Sequence, residues 1–269
     1  LFSAHGDDEA AVLNAADALR QSVVGDSVSY VINRNINYTN LCMLSCGFCA
    51  FSKAQGRNDL RGAPYDLADS EIARRVTEAW QRGATEVCMQ GGIHPGYTGE
   101  KYLALARLVK ATQPGMHVHA FSPLEVMHGA ETLGISVPEF LAELKHAGLD
   151  TLPGTAAEIL DDEIRARICP DKMRTDAWLD VMRHAHRIGL RSTATIMFGH
   201  VDRARNWARH LLRIRDLQQE TGGFTEFVPL PFVHMEAPMA RHCATRPGPT
   251  FRETMLMHAV ARLVLHPLI

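Results

Sequence analysis

The chain has no apolar run approaching the ~18 residues that a bilayer span requires. Its most apolar late stretch, residues 259–269, is broken by Arg262 and His266. A basic-then-apolar opening is also missing, so no secretory signal is read. Neither charge dominates: a formal net charge of −2 and a pI near 6.7 argue against nucleic acid or an anionic membrane surface as partner. No Gly/Ser linker, low-complexity tract or sequence-level repeat divides the chain. Cysteine is scarce, six residues in 269, and three of the six fall between positions 42 and 49. That distribution suits a reducing, cytoplasmic setting better than a disulfide framework. With 46% hydrophobic and 22% charged residues, the composition is that of an ordinary soluble globular protein. The chain opens on Leu1 and ends on Ile269 without a polar tail, which reads as a segment of something longer.

What the chain does have is an alternating beat. Val12, Leu13, Ala16 and Leu19 give one apolar stripe on a first helix that Gly25 ends. Residues 28–32 alternate as an extended strand would. Ile72, Val76, Ala79 and Trp80 mark a helix, and residues 86–90 a strand that ends at Gly91-Gly92. A helix over 99–112 precedes a strand over 116–121, and Ser136-x-x-Glu139 opens a further helix with a capping box. A short strand at 149–152, helices at 158–168 and 175–188, a strand at 191–198, a helix at 203–220, a strand at 224–230 and a helix at 250–265 complete the pattern. Short strands alternating with longer helices predict an α/β fold with a parallel sheet and right-handed crossovers. No G-x-G-x-x-G follows the first strand, which disfavours a dinucleotide fold. Polar and glycine-rich clusters recur after strand ends, so a TIM-like barrel is expected, with its chemistry at that rim. Residues 1–32 are read as a helix and strand leading in, and 33–269 as the barrel core of six strand–helix units.

Cys42-Met-Leu-Ser-Cys46-Gly-Phe-Cys49 carries the chemistry. Three thiolates can hold three irons of a [4Fe–4S] cubane and leave the fourth open, unlike ferredoxin spacings that close each cluster with four. A structural zinc site would need a fourth ligand, commonly from a second paired hook, and Cys88, Cys169 and Cys243 stand alone. The spacing, with an aromatic Phe48 before the last cysteine, resembles the signature of the radical S-adenosylmethionine (SAM) superfamily. In that superfamily the open iron chelates the amino and carboxylate groups of SAM, and an electron from the cluster releases a 5′-deoxyadenosyl radical.

Longer segments narrow the resemblance. Asn33-Arg-Asn-Ile-Asn-Tyr-Thr-Asn40, Glu86-Val-Cys-Met-Gln-Gly-Gly-Ile-His-Pro95, His117-Val-His-Ala-Phe-Ser-Pro-Leu-Glu125, Gly154-Thr-Ala-Ala-Glu-Ile-Leu-Asp-Asp162 and Phe227-Val-Pro-Leu-Pro-Phe-Val-His-Met-Glu-Ala-Pro238 closely resemble the FO synthase family, in its tyrosine-using half. That half is the 5-amino-6-(D-ribitylamino)uracil–L-tyrosine 4-hydroxyphenyl transferase family, found alone or fused to a second radical enzyme. The resemblance covers essentially the whole chain. It implies cleavage of L-tyrosine between Cα and Cβ, transfer of the 4-hydroxybenzyl group to C5 of the ribitylaminouracil, and a role in deazaflavin and coenzyme F-420 synthesis. A reductant and an FO-forming radical partner, separate or fused, are implied too. Family members continue past Ile269 into two further strands, so a radical SAM barrel lacking its last two strands is expected here. An aminofutalosine-type radical enzyme of menaquinone synthesis shares the Asn35-Ile-Asn-Tyr-Thr-Asn40 segment and is the nearest rival. A non-catalytic Fe–S protein is the rival from another class.

The resemblance assigns Cys42, Cys46 and Cys49 to the cluster, and Phe48, Gly91, Gly92 and Glu158 to SAM. Glycine lets backbone approach a ligand, although a plain turn would also use it. Glu158 also fits a capping box begun by Thr155, with no ligand involved. Phe51 is either a shield for the cluster or a packing residue. Ser122 and Glu125 are candidates for tyrosine or SAM, with helix capping as the other reading of Ser122. His117 and His119 share a strand face; with His200, Asp202, His234 and Glu236 they are candidates for substrate polar groups, as against loop or core hydrogen bonding. Gln90 and His94 flank the glycines as polar rim residues. No acid–base residue is assigned.

Overall fold

A computed structural model describes residues 1–53, 62–241, 245–267 and 269. Its spine is a parallel sheet in chain order: β1 (Asn33–Asn37), β2 (Glu86–Gln90), β3 (His117–Ala120), β4 (Thr151–Leu152), β5 (Arg191–Phe198) and β6 (Phe224–Pro231). Each strand pairs with its predecessor, so every crossover steps the same way, and the sheet curls as in a barrel. Among the described residues β1 and β6 do not pair, which leaves an open half-barrel. No described helix is long and apolar enough to cross a membrane.

The two faces of the sheet differ by the period of two inherent in a strand. Ile36, Val87, Met89, Val118, Ala120, Leu152, Ala194 and Ile196 are buried beneath the helices. The alternate positions form the inner face, where the register sets Asn35 beside Cys88, Cys88 beside His119, His119 beside Thr151 and Thr151 beside Arg191. That row is polar from end to end.

The helices are α1 (Asp7–Val24), α2 (Asp69–Gln81), α3 (Gly99–Thr112), α4 (Pro123–Leu133), α5 (Val137–His146), α6 (Asp162–Ile168), α7 (Thr175–Arg187), α8 (Ala204–Thr221), the single turn α9 (Pro238–Arg241) and α10 (Phe251–Leu265). Capping boxes open α4 with Ser122 and Glu125, α5 with Ser136 and Glu139, and α10 with Thr250 and Glu253. The first helix packs against α10, where Arg252 Nε meets Glu9 at 2.7 Å.

Three expectations need correction. Residues 28–32 are not a strand: Val28 and Tyr30 are 87% and 84% exposed, and backbone pairing begins only where Thr85 N–H donates to the Ile32 carbonyl. Alternation stabilises a strand only beside a partner, and none of the described residues supplies one. Between Phe121 and Ser136 lies a helix, α4, that the apolar pattern did not reveal. Thr155 and Glu158 open no helix either, because α6 starts at Asp162 behind an Asp161 cap. Ala156 and Glu158 hold positive φ of 62° and 47°, and Met197 N–H bonds the Glu158 carbonyl at 2.6 Å. Residues 154–160 are therefore a tight loop tied to β5.

Helices α4 and α5 meet where Gly129 leaves room for Phe140. A Cβ at Gly129 would stand 2.3 Å from the Phe140 ring, which is fully buried. Overpacking of this kind costs about 1–3 kcal/mol. Gly129→Ala is expected to lower the thermal unfolding midpoint by several degrees in a calorimetric scan, and an unchanged midpoint would contradict this packing.

Candidate functional site

A cavity of about 240 Å³ sits at the C-terminal ends of the strands. Cys42, Cys46, Cys49, Phe48, Gly91, Gly92 and Glu158 all line it, together with Phe51, Gln90, Ser122, Glu125, Thr155, Lys172 and Thr195. The fold thus brings the resemblance-assigned residues to one place from three separate loops.

The cysteine loop is held by backbone at both ends. Asn40 spans its base: its side-chain nitrogen donates to the Ala63 carbonyl at 2.9 Å, its side-chain oxygen accepts from Tyr65 N–H at 2.8 Å, and its carbonyl accepts from Lys53 N–H at 2.8 Å. Gly47 N–H reaches the Ile168 carbonyl at 2.8 Å, and the Gly47 carbonyl accepts from Met239 N–H at 2.7 Å. Amide donors point at sulfur: Ile93 N–H at Cys42 Sγ and Ser52 N–H at Cys49 Sγ, each at 3.3 Å. Burial pushes Cys46 up to about 12 and raises Cys49, while nearby Lys172 pulls both the other way. Such thiols keep their protons at neutral pH until a metal cation replaces them. Among the described residues no three His, Cys, Asp or Glu side chains converge on one point as a single ion would require.

The two glycines are demanded by contact. A Cβ on Gly91 would lie 2.3 Å from the Tyr38 ring, and one on Gly92 would lie 2.2 Å from the Leu41 carbonyl oxygen and 2.8 Å from Cys42 Cβ. Gly92 N–H donates to Thr39 O at 3.0 Å, and Met43 N–H to Ile93 O at 2.9 Å. The turn after β2 and the cysteine loop are therefore one backbone unit.

Across the cavity Lys172 Nζ meets Glu158 Oε1 at 2.6 Å and lies 5.1 Å from the centre of the Phe48 ring. Lys172 is raised because Glu158 and the cysteine sulfurs outweigh its burial. Sequence reasoning missed Lys172: it stands in the turn between α6 and α7, and no local pattern marks it. Thr155 Oγ1 and Ser52 Oγ are buried on this cavity without a hydrogen-bond partner among the described residues.

Glu125 is fully engaged. Its Oε2 accepts from Ser122 N–H at 2.7 Å and Ser122 O–H at 2.6 Å, and its Oε1 from Gly91 N–H at 3.1 Å and from the Tyr38 hydroxyl. Ser122 thus caps α4 and lines the cavity at once. Phe51 also lines the cavity while 40% exposed. His117 Nε2 and His119 Nδ1 both meet Thr151 Oγ1 at 2.8 Å on the inner face. Burial, with His117 adding to it, holds His119 down at about 4, so its imidazole is neutral at physiological pH.

Other candidates fall outside. Asp202 is spent on the backbone of Gly199 and His200 and on Trp207 Nε1, and His200 donates through Nε2 to the Met197 carbonyl. Both line a second cavity of about 580 Å³, between Phe2, Arg167 and Arg246, which shares no lining residue with the first. His234 is exposed and bonds the Pro247 carbonyl at 2.7 Å, and Glu236 is half-buried. His94 accepts from Gly96 N–H at 2.9 Å and stacks on Tyr97. Cys88 lies on the inner face, Cys169 is buried beneath the cysteine loop, and Cys243 lies outside the described residues.

Residues 36–212 match the family model described as the radical SAM superfamily. An FO synthase from Mycobacterium leprae is 52% identical over 266 residues, 99% of this chain but 30% of that protein. The 5-amino-6-(D-ribitylamino)uracil–L-tyrosine 4-hydroxyphenyl transferase of Methanopyrus kandleri is 47% identical over 258 residues, 96% of this chain and 69% of that protein. Among solved structures, methylornithine synthase (PylB) superposes with a TM-score of 0.66 at 17% identity, covering 97% of this chain and 77% of its own. The FeFe-hydrogenase maturase HydG from Carboxydothermus hydrogenoformans gives 0.70 at 13% identity, covering 99% and 58%. These two likenesses concern the fold.

A side chain at Gly92 would have to displace the Leu41 backbone and Cys42 Cβ. Gly92→Ala is expected to push the Leu41–Cys42 backbone aside, so that anaerobic reconstitution yields protein with most of its iron lost while far-UV circular dichroism stays unchanged. Full iron loading would show that the turn and the cysteine loop are not the rigid unit described.

Proposed function

The chain belongs to the radical SAM superfamily, and from that premise we propose that it is a 4-hydroxybenzyl transferase acting on L-tyrosine and 5-amino-6-(D-ribitylamino)uracil. The observation that carries the reading is a single cavity that gathers three cysteines, the Gly91-Gly92 turn and the Glu158–Lys172 pair, in a chain similar over almost its whole length to the M. kandleri transferase. The chain spans about 30% of the FO synthases it matches, so the remainder of such a protein, or a separate subunit, would supply the ring-closing partner activity. A cytoplasmic setting with a reductant would keep the thiols available.

The residues present fit the cofactors. Cys42, Cys46 and Cys49 would hold the [4Fe–4S] cluster, with amide N–H groups already aimed at two of the sulfurs. Phe48, Gly91, Gly92 and Glu158 would hold SAM, and Ser52 and Thr155 bring hydroxyls that lack partners. Glycine backbone can approach the methionine end, and the opposite charges of Glu158 and Lys172 suit a ligand that carries both an ammonium and a carboxylate. Bound together, cluster and SAM supply one-electron chemistry that makes a carbon radical able to abstract hydrogen.

The protein's own part is to bind, orient and keep water out. The polar inner face, with Asn35, His119 and Thr151 in one register, offers donors and acceptors to the two substrates below the cavity. His119, neutral at working pH, serves there as a hydrogen-bonding group and not as a cation. Phe48 and Phe51 place apolar surface over the cysteine loop.

Reconstituted protein given SAM, reductant and tyrosine is expected to release 5′-deoxyadenosine, and to form the 4-hydroxybenzyl adduct only when ribitylaminouracil is added. Cys49→Ala is expected to abolish both by chromatography. Product from futalosine-type substrates alone would assign the chain to the menaquinone-type group instead.

A further inference from the structure

The two carboxylates on the cavity wall are not equivalent. Glu158 is neutralised by Lys172 at 2.6 Å. Glu125 has only neutral partners: Gly91 N–H, Ser122 N–H, Ser122 O–H and Tyr38 O–H. It is 1% exposed, and Lys172 is the only Lys or Arg among the described lining residues. Burial raises the Glu125 carboxyl, and the hydrogen bonds oppose that. Each oxygen takes one obligate amide donor, Gly91 N–H on Oε1 and Ser122 N–H on Oε2, and one hydroxyl able to donate, a set that suits the ionised form.

From this geometry we infer that Glu125 is a specificity-determining residue, a buried anion behind the Gly91 turn that makes the cavity prefer a cationic sulfonium ligand over its neutral thioether counterpart. The inference rests on the radical SAM reading and gives a charge-sensing role to a residue until now only a candidate for tyrosine or SAM. SAM and S-adenosylhomocysteine differ by one methyl group and one positive charge. A pocket whose second acid is already paired has Glu125 as its unpaired side-chain carboxylate with which to sense that charge. The charge is fixed: the α4 capping box holds one oxygen, and the Gly91 amide and Tyr38 hold the other. A preorganised, desolvated charge acts on a nearby ligand more strongly than the same charge in water.

The test is calorimetric binding of SAM and of S-adenosylhomocysteine to anaerobically reconstituted protein, with iron content matched between variants. Glu125→Gln preserves shape and removes the charge. It is expected to weaken SAM by about tenfold or more, the factor that corresponds to 1.4 kcal/mol, and to change S-adenosylhomocysteine by less than about threefold. Tyr38→Phe keeps the charge and removes one donor, so the preference for SAM is expected to persist. Equal losses for both ligands in Glu125→Gln, or no loss for SAM, would overturn the proposal alone, as would disappearance of the preference in Tyr38→Phe. Cluster-loaded wild-type protein that binds neither ligand would overturn the proposal together with the reading beneath it.

Discussion

The contact between the Gly91-Gly92 turn and the cysteine loop is the constraint on which the rest depends. Strand pairing of β1 with β2 delivers the two segments side by side at the sheet's C-terminal edge, and glycine lets them touch. Met43 N–H to Ile93 O, Gly92 N–H to Thr39 O and Ile93 N–H to Cys42 Sγ then lock them together. A proposed cluster ligand and a proposed SAM-binding backbone thus share one rigid joint. Their relative position is set by the sheet before any cofactor arrives, which spares the bound state much of the ordering cost. The same joint explains why Tyr38 is wholly buried: its ring is the platform on which Gly91 rests, and its hydroxyl ends on Glu125.

Charge is distributed around this joint with little redundancy. Thiols pushed up by burial need a cation to become thiolates, and Lys172 is the basic side chain that lines the cavity. It is committed to Glu158 and stands over the Phe48 ring, so Phe48, Glu158 and the cysteine loop are coupled through one ammonium. Placing that ammonium takes a buried turn between α6 and α7, braced from below by Arg165, which donates to the carbonyls of Ala156, Ala157 and Met173. The loop carrying Glu158 and the turn carrying Lys172 are therefore stitched to each other by a second buried cation, the Arg165 guanidinium. An ion pair so enclosed is costly to desolvate, which makes it weak evidence of stability and better evidence of a ligand-facing role.

Local signals in the sequence matched the structure where each depends only on near neighbours. The cysteine spacing, the Gly91-Gly92 pair at a strand end and the capping box at Ser136 each depend on neighbours within a few residues. The parallel half-barrel followed from strand–helix alternation for the same reason. What escaped was set by the fold. Lys172 reaches the cavity only because α6 and the turn after it fold back on the loop that follows β4. The Thr155–Glu158 box was outvoted by positive φ at Ala156 and Glu158, which tie that loop to β5. Helix α4 escaped because Ser122 and Glu125 fit a capping box as well as a ligand contact, and the two roles coincide. Residues 28–32 alternated convincingly and still form no strand, since periodicity reports a face and cannot report whether a neighbour exists. His200 and Asp202 were candidates for substrate groups or for loop hydrogen bonding, and their polar atoms are engaged by the loop after β5.

The inner face of the sheet supplies the last step. In an ordinary parallel barrel the interior is filled by branched apolar side chains and serves as core. Here the branched residues Ile36, Val87, Val118 and Leu152 all face the helices, and the inward row is Asn35, Cys88, His119, Thr151 and Arg191. A row of this kind contributes little to hydrophobic stability. Its polar groups must find partners, as His117 and His119 do by sharing the Thr151 hydroxyl. Because the helix layer alone provides the core, the inside of the curve is free to hold polar ligands, and its open end is the wall that carries the cysteines. A ligand held at that wall would face a row of fixed hydrogen-bonding groups, an arrangement that suits polar partners better than apolar ones.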